Sequence, residues 1–155
     1  MVESKVFSPS NPSRNVFVEL IGVTKVFPGV VALDNVNLQV YHNTIHALLG
    51  ENGSGKSTLV KILYGIYTLD KGEIRVNGVK VYITSPKDAV KHGIVMVSQS
   101  PVLIDRLTIA ENIILGLKEY GLLSFTRKVY DKIMDVFRKL NINLDPNIEV
   151  YKLTY

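Results

Sequence analysis

The stretch Gly50-Glu51-Asn52-Gly53-Ser54-Gly55-Lys56-Ser57 decides the fold, because it fits the pattern G-x-x-x-x-G-K-S of a phosphate-binding loop. Gly53 and Gly55 lack a Cβ atom, so the backbone can wrap closely around a phosphate. Successive N–H groups then form a nest for an anion at the positive N-terminus of the following helix. In this pattern Lys56 reaches the β- and γ-phosphates of a nucleotide, and the Ser57 hydroxyl binds Mg²⁺.

The segments on either side of the loop supply the context that such a site needs. Residues 45–49 are short and almost wholly apolar, which predicts a strand buried on both faces. Residues 58–64 carry apolar side chains at helical spacing, and Gly65 follows, which predicts a helix. A glycine-rich loop between a buried strand and a helix is the arrangement in which phosphate binding is expected.

Turn and capping signals predict the remaining elements. Asn77-Gly78 between residues 73–76 and 79–82 predicts a hairpin with a type I′ turn. Ser85 followed by Pro86 predicts the start of a short helix that ends at His92, and Thr108 with Glu111 predicts a capping box. Strands are further predicted at residues 16–20, 35–40 and, buried, at 94–97, and a helix at residues 129–140.

Composition limits the chain to one globular domain of 155 residues, of which 46% are hydrophobic and 21% charged. The absence of cysteine excludes disulfides, thiolate metal sites and a cysteine nucleophile. The net charge of +4 mildly favours anionic ligands, although ordinary surface lysines explain it equally well. Mean hydropathy is +0.18, yet no apolar run approaches the roughly 18–20 residues of a membrane span.

The first 15 residues are predicted to form a flexible leader, because they are polar around Pro9 and Pro12. They contain no apolar core of a secretory signal. The structured domain is predicted to occupy residues 16–155.

Several separate segments of the chain resemble the ATP-binding subunits of ABC transporters. Residues 23–36 resemble the opening strand and aromatic loop of that family, and residues 48–59 resemble its Walker A segment. Gln99 stands where the family has its Q-loop glutamine, and residues 107–113 resemble the start of its helical subdomain. The resemblance implies an α/β, P-loop NTPase-like nucleotide-binding domain with an antiparallel β portion. The domain is incomplete, with the helical subdomain starting at about residue 100.

Within the family, the chain is similar to the importers of simple sugars and nucleosides. The similarity lies in residues 50–53, 61–65, 85–89 and 93–94. It implies a subunit on the cytoplasmic face of the cell membrane that couples ATP hydrolysis to solute import. The implied partners are transmembrane permease subunits, a second ATP-binding subunit or domain and, indirectly, a periplasmic or extracellular solute-binding protein. No nucleic acid partner is expected.

The resemblance also implies roles for individual residues, with ATP and Mg²⁺ as cofactors. Phe27 would stack on the adenine ring, although an aromatic residue in the core is the alternative. Gln99 would approach Mg²⁺ and the attacking water, although it could simply cap a strand end. Lys56 and Gln99 are the implied catalytic residues, and Ser57 and Gln99 the implied metal ligands. The implied nucleotide contacts are Phe27, Gly50, Glu51, Asn52, Gly53, Ser54, Gly55, Lys56, Ser57 and Thr58.

Other features of the sequence leave their interpretation open or point away from the site. Residues 100–108 either meet the coupling helix of a permease, as in the family, or pack within the helical subdomain. The three histidines and the basic residues of the helix at 129–140 are predicted to have no role in the site.

Two features of the family are missing from the sequence. There is no apolar run that ends in Asp-Glu, the pair that supports Mg²⁺ and polarises the attacking water. Leu153-Thr154-Tyr155 resembles the first three positions of the family signature L-S-G-G-Q, inside which the sequence stops. We therefore expect an N-terminal fragment that binds ATP–Mg weakly, does not hydrolyse it, and exposes apolar surface.

Three alternatives remain at the level of sequence. The chain could be a complete, non-catalytic nucleotide-binding module, or an ABC-type ATPase that is not involved in transport. The lack of a heptad run after Gln99 speaks against a DNA-maintenance ATPase split by a coiled coil. A P-loop kinase or GTPase is the weakest alternative, because it explains neither Phe27 nor Gln99.

Overall fold

A computed structural model describes residues 3–5, 15–99, 102–115 and 127–153 of the chain. The chain divides into two compact units, residues 1–96 and 97–155. The first unit contains the phosphate-loop sequence and most of the β-structure. Its elements are β1 (Glu3–Lys5), β2 (Val16–Phe27), β3 (Val30–Tyr41), β4 (Ala47–Leu49), α1 (Lys56–Leu63), β5 (Lys71–Val76), β6 (Val79–Val81) and α2 (Pro86–Lys91).

An antiparallel four-stranded sheet in the order β3-β2-β5-β6 forms the body of the first unit. The strands predicted at residues 16–20 and 35–40 are confirmed as parts of the longer β2 and β3, which are 12 residues each. These two strands form a long hairpin whose tip is closed by the pair Phe27 and Val30. A separate two-stranded antiparallel sheet joins β1 to β4.

Helix α1 packs its apolar side against this body. Leu59 and Ile62, three residues apart on one face, are essentially fully buried. They join a core that includes Leu20, Val23 and Ile74 from the central strands. The predicted helix at residues 58–64 is therefore confirmed, although it begins two residues earlier, at Lys56.

The predicted turn and cap of the first unit are confirmed. Asn77 and Gly78 both have positive φ, at 51° and 78°, and Val76 pairs with Val79 across them. This is the type I′ geometry that matches the twist of the two strands. Ser85 caps α2 by accepting a hydrogen bond from the Asp88 N–H, with Pro86 in the first turn.

Two strands that were predicted to be buried are not buried. In the segment 45–49 only Ala47–Leu49 form a strand, and Ile45 is 92% exposed. Residues 94–97 have no regular secondary structure, and Val97 is 96% exposed. A strand that is buried on both faces needs neighbouring strands and a layer on each side. Among the described residues, β4 has only β1 as its neighbour and residues 94–97 have none.

The second unit is helical in its described part. It contains α3 (Ile109–Ile114), α4 (Arg127–Lys139) and a 3₁₀ turn at Val150–Lys152. The predicted capping box is present, since the Thr108 hydroxyl accepts from the Glu111 N–H and the Glu111 carboxylate accepts from the Thr108 N–H. The predicted helix at residues 129–140 is confirmed as α4. Its buried residues Val129, Ile133 and Phe137 pack with Ala110 and Ile114 of α3.

Most of the predicted leader lies outside the described residues. Of its 15 residues, Glu3–Lys5 form β1 and Asn15 precedes β2. The boundary between leader and domain at residue 15, and the start of the helical subdomain at about residue 100, stay predictions. Within the described ranges, every helix is too short or too polar to serve as a membrane span.

Candidate nucleotide-binding site

The glycine-rich loop connects the end of β4 to the start of α1. Gly50, Gly53 and Gly55 have φ values of 155°, 83° and 96°, in a region of backbone conformation that side-chain-bearing residues rarely adopt. Gly55 is the N-cap of α1, and no side chain caps that end of the helix. No side chain therefore satisfies the first N–H groups of α1, which leaves them available to an anion.

Close contacts also disfavour a side chain at two of these glycines, most strongly at Gly55. A Cβ atom on Gly55 would lie 2.5 Å from the Ala32 carbonyl oxygen and 2.8 Å from Leu33 Cδ2. A Cβ atom on Gly50 would lie 2.7 Å from the Ser54 hydroxyl. The tight contact at Gly55 fixes the start of α1 directly against β3.

The Lys56 side chain folds back over the loop. Its Nζ donates hydrogen bonds of 2.6 Å to the carbonyl oxygens of Gly50 and Glu51. The backbone N–H of Ser54 donates to the Glu51 carbonyl at 3.2 Å and closes a turn over residues 51–54. The cationic group thus lies at the centre of the loop, where an anion bound by the backbone would meet it.

The remaining loop residues are open to a ligand. Glu51, Asn52, Gly53 and Ser57 are exposed, whereas Thr58 is half-buried in the first turn of α1. No acidic side chain lies in that first turn. The loop therefore offers an anion backbone donors, a lysine and hydroxyl groups without a nearby carboxylate of the helix to repel it.

Phe27 occupies the last position of β2 and is half-buried. Its ring meets the ring of Tyr67 edge to face, with centroids 5.1 Å apart and planes at 71°. Lys25 Nζ lies 5.4 Å from the Phe27 ring centroid. This side chain is a partly exposed aromatic group at a strand end, not a residue of the buried core.

The β2–β3 hairpin connects Phe27 to a strand that lies against the glycine loop. Phe27 pairs with Val30 at the tip, and Ala32, two residues further along β3, contacts Gly55. Phe27 and the loop are more than 20 residues apart in the sequence, and β3 runs from the tip of the hairpin to the residue that lies against Gly55. The pairing of β2 with β3 thus relates the backbone at Phe27 to the start of α1. That both contact one nucleotide stays a prediction.

Two residues beside Phe27 were missed by the sequence analysis. Tyr67 contacts the Phe27 ring, and the Asp70 carboxylate accepts from the Val26 N–H at 2.7 Å and from Lys25 Nζ at 2.9 Å. These hydrogen bonds, first that of the Val26 N–H and then that of Lys25, hold the pKa of Asp70 below its usual range. Both residues lie in the loop after α1, where no spacing pattern distinguishes a site residue from any other loop residue.

Gln99 lies in the second unit, where it is exposed and outside regular secondary structure. Its approach to Mg²⁺ and water stays a prediction.

Shortly after Gln99 in the sequence, Val102 is 92% exposed, while Asn112 of α3 holds the backbone that follows it in place. The Asn112 side-chain amide accepts from the Ile104 N–H at 2.8 Å and donates to the Ile104 carbonyl at 3.0 Å.

The residues of the loop are compatible with a magnesium ion that arrives with a nucleotide. Within the described part of the chain, no three histidine or acidic side chains form a group that could hold a metal. Mg²⁺ bound with a nucleotide takes most of its ligands from phosphate oxygens and water. The exposed Ser57 hydroxyl, beside the anion nest, is a suitable single protein ligand for such an ion.

Known proteins are similar in sequence to most of this chain. The chain is 44% identical over 145 residues to a putative ribose/galactose/methyl galactoside import ATP-binding protein of Rhizobium etli, which covers 92% of this chain and 28% of the relative. It is 47% identical over 131 residues to the guanosine import ATP-binding protein NupO of Bacillus subtilis, covering 83% and 26%. The chain thus spans somewhat more than a quarter of the length of these relatives.

Solved structures share the fold. An ATP-binding cassette of an ABC transporter in its ADP conformation superposes with a TM-score of 0.72 at 22% identity, over 90% of this chain and 59% of the other. This likeness confirms the predicted fold class, that of a partial ABC nucleotide-binding domain. The family model of ABC transporters matches residues 33–154. The loop geometry, the shared fold and this match lead to one conclusion: the chain belongs to the ABC transporter family.

Proposed function

We propose that this chain is the ATP-binding part of a subunit that couples ATP hydrolysis to the import of a solute. The observation that carries the proposal is the glycine loop, with Lys56 Nζ held at its centre and the uncapped start of α1 beside it. Backbone donors, a helix N-terminus and a lysine converge there, which is the arrangement that binds the phosphates of a nucleotide.

The geometry of the first unit supports the proposed contacts. A triphosphate in the loop would draw Lys56 Nζ from the carbonyls of Gly50 and Glu51 onto the β- and γ-phosphates. The exchange replaces neutral acceptors with charged ones, which form stronger hydrogen bonds. Bound Mg²⁺ would neutralise phosphate charge, with the Ser57 hydroxyl as its proposed protein ligand in this unit. Phe27 would stack on the base, a contact that every base can make.

The solute is proposed to be a simple sugar or a nucleoside. The relatives at 44% and 47% identity are named for ribose and galactose import and for guanosine import. The proposed partners are permease subunits, a second ATP-binding subunit or domain and, through the permease, a solute-binding protein. The proposed location is the cytoplasmic face of the membrane.

The 155-residue chain is proposed to bind ATP without hydrolysing it. Its sequence has no apolar run that ends in Asp-Glu, and the loss of catalytic positioning groups in nucleotide hydrolases costs factors of about 10³–10⁵ in rate. Binding and turnover are therefore expected to separate in this chain. Gln99 alone does not supply the missing carboxylates.

Calorimetric titration of the chain with Mg–ATP tests the proposal. The chain should bind Mg–ATP, and Lys56→Ala should weaken binding by at least about tenfold, because charge-assisted hydrogen bonds to phosphate are lost. Lys87→Ala is the matched control, since it removes the same charge from an exposed position in the first turn of α2. Equal binding by the two variants would refute the phosphate site. ATP turnover that disappears in Lys56→Ala would refute the separation of binding from hydrolysis.

A further inference from the structure

We infer that Tyr67 is a positioning residue that holds the Phe27 ring in the orientation in which it receives a nucleotide base. The inference rests on the proposed function, because it assumes that Phe27 stacks on the base. It adds a second aromatic residue, from a loop 40 residues along the chain, to that end of the site. Tyr67 would act through Phe27 and would not itself need to contact the ligand.

The contact between the two rings restricts the rotation of Phe27. The rings meet edge to face with centroids 5.1 Å apart, within the range of favourable aromatic pairs. Phe27 is half-buried at the end of a strand, and besides Tyr67 the Lys25 Nζ lies 5.4 Å from its ring centroid. A ring that is held in place before the ligand arrives loses less entropy on binding. Tyr67 should therefore strengthen base binding.

Tyr67 is itself fixed to the end of the phosphate-binding helix. The N–H groups of Ile66 and Tyr67 donate to the Lys61 carbonyl at 2.8 and 3.3 Å. Lys61 Nζ lies 5.4 Å from the Tyr67 ring centroid. Because α1 begins at the glycine loop and Tyr67 follows its last turn, one short helix sets the distance between the phosphate end and the base end.

The other side of the same loop is fixed to β2 beside Phe27. The Asp70 carboxylate accepts from the Val26 N–H, and the Asp70 N–H donates to the Thr24 carbonyl at 2.9 Å. The backbone on both sides of Tyr67 is thus tied down, once to α1 and once to the strand that carries Phe27. Hydrogen bonds on both sides of Tyr67 therefore support the edge-to-face contact with Phe27.

Paired titrations with Mg–ATP and with magnesium and inorganic triphosphate test the inference. Triphosphate contains the phosphate chain and no base, so it measures the loop alone. Tyr67→Leu and Tyr67→Met should each weaken Mg–ATP binding by about three- to tenfold, the size of an aromatic pair contribution. Both variants should leave triphosphate binding unchanged. Tyr67→Phe keeps the ring and should bind both ligands as the parent chain does.

The outcomes separate this inference from the proposed function. If Phe27→Leu weakens Mg–ATP binding selectively but neither Tyr67→Leu nor Tyr67→Met does, the base stacks on Phe27 and the positioning role of Tyr67 is refuted. If the Tyr67 variants weaken both ligands equally, Tyr67 acts on the fold in general and the inference is again wrong. If Phe27→Leu has no selective effect, base stacking by Phe27 fails, and the inference fails with it.

A spectroscopic measurement tests the orientation of the ring without any nucleotide. The chain contains eight tyrosines but no tryptophan, so Phe27→Trp introduces a single tryptophan at the base end, which can be excited at wavelengths where tyrosine does not absorb. Its fluorescence anisotropy should decrease when Tyr67→Leu is added and should be retained with Tyr67→Phe. Unchanged anisotropy in the Tyr67→Leu background would show that Tyr67 does not restrain the ring.

Discussion

The two ends of the candidate site are built in different ways. The phosphate end consists of eight consecutive residues, 50–57, whose backbone and one lysine make the cradle. The base end consists of Phe27 at the end of β2 and Tyr67 in the loop after α1, and side-chain packing brings them together. The first end depends on backbone conformation and charge, and the second on contacts between residues that are distant in the sequence.

This difference determines how each end should respond to substitution. A side chain added at Gly55 meets tightly packed backbone, because its Cβ atom would lie 2.5 Å from the Ala32 carbonyl oxygen. A change at the base end removes a contact between half-buried rings, which should cost less and leave the loop intact. Substitutions at the two ends should therefore differ in size and also in the ligands that they affect.

The largest effect is expected for Gly55→Ala. Its Cβ atom would lie 2.5 Å from the Ala32 carbonyl oxygen, at a φ of 96°. Gly53→Ala is the matched control, with a φ of 83° and no atom within 4 Å of the added Cβ. Urea unfolding should show a loss of about 3 kcal/mol or more for Gly55→Ala and about 1 kcal/mol for Gly53→Ala. Equal losses would mean that the contact with β3 does not constrain the loop.

An intermediate effect, restricted to base-containing ligands, is expected for Phe27→Leu. Loss of one base–aromatic stack typically costs about 1–3 kcal/mol, so Mg–ATP binding should weaken by roughly five- to a hundredfold. The affinity for inorganic triphosphate should not change, because the loop is untouched. Calorimetric titration with each ligand measures the affinity for Mg–ATP relative to the affinity for inorganic triphosphate. A parallel loss of both affinities would contradict the division of the site into two ends.

A smaller effect, on pH dependence, is expected for Asp70→Asn. The Val26 N–H and then Lys25 lower the pKa of Asp70 below 3.8 in the folded chain. The folded state therefore binds fewer protons than the unfolded state, and the carboxylate stabilises the fold above about pH 3.8. This stabilisation is lost as the pH falls through the folded pKa. The Asp70→Asn substitution keeps an acceptor for the Val26 N–H but removes the charge.

Unfolding curves of the parent chain and of Asp70→Asn at pH 6 and pH 2 measure this contribution. The difference in unfolding free energy between the two proteins should be larger at pH 6 and should shrink at pH 2. A difference that stays constant with pH would show that the charge of Asp70 does not help to anchor the loop beside Phe27.

Local signals in the sequence predicted the elements that are held by local interactions. Asn77-Gly78 predicted its turn because positive φ is needed at both positions, and Thr108 with Glu111 predicted a capping box whose partners are three residues apart. The glycine loop was predictable for the same reason. The glycines, the lysine and the serine that the loop needs all lie within the consecutive residues 50–57.

Signals that depend on distant neighbours were less informative. Residues 45–49 and 94–97 are apolar enough to be buried strands, but burial depends on which strands lie beside them. The composition of a segment does not show whether a neighbouring strand is present beside it. Tyr67 was missed for a related reason, because nothing in its own segment indicates that β2 will place Phe27 against its ring.

Hydrogen exchange of the chain with and without Mg–ATP tests the central claim most directly, because it locates the ligand on the backbone. The account predicts slower exchange at the amides of residues 53–58, where the N–H groups of the loop and of α1 would bind phosphate, and a smaller change near Phe27. Inorganic triphosphate should protect the first region and not the second. Protection confined to residues 97–153, or no protection at a saturating concentration of Mg–ATP, would contradict the account.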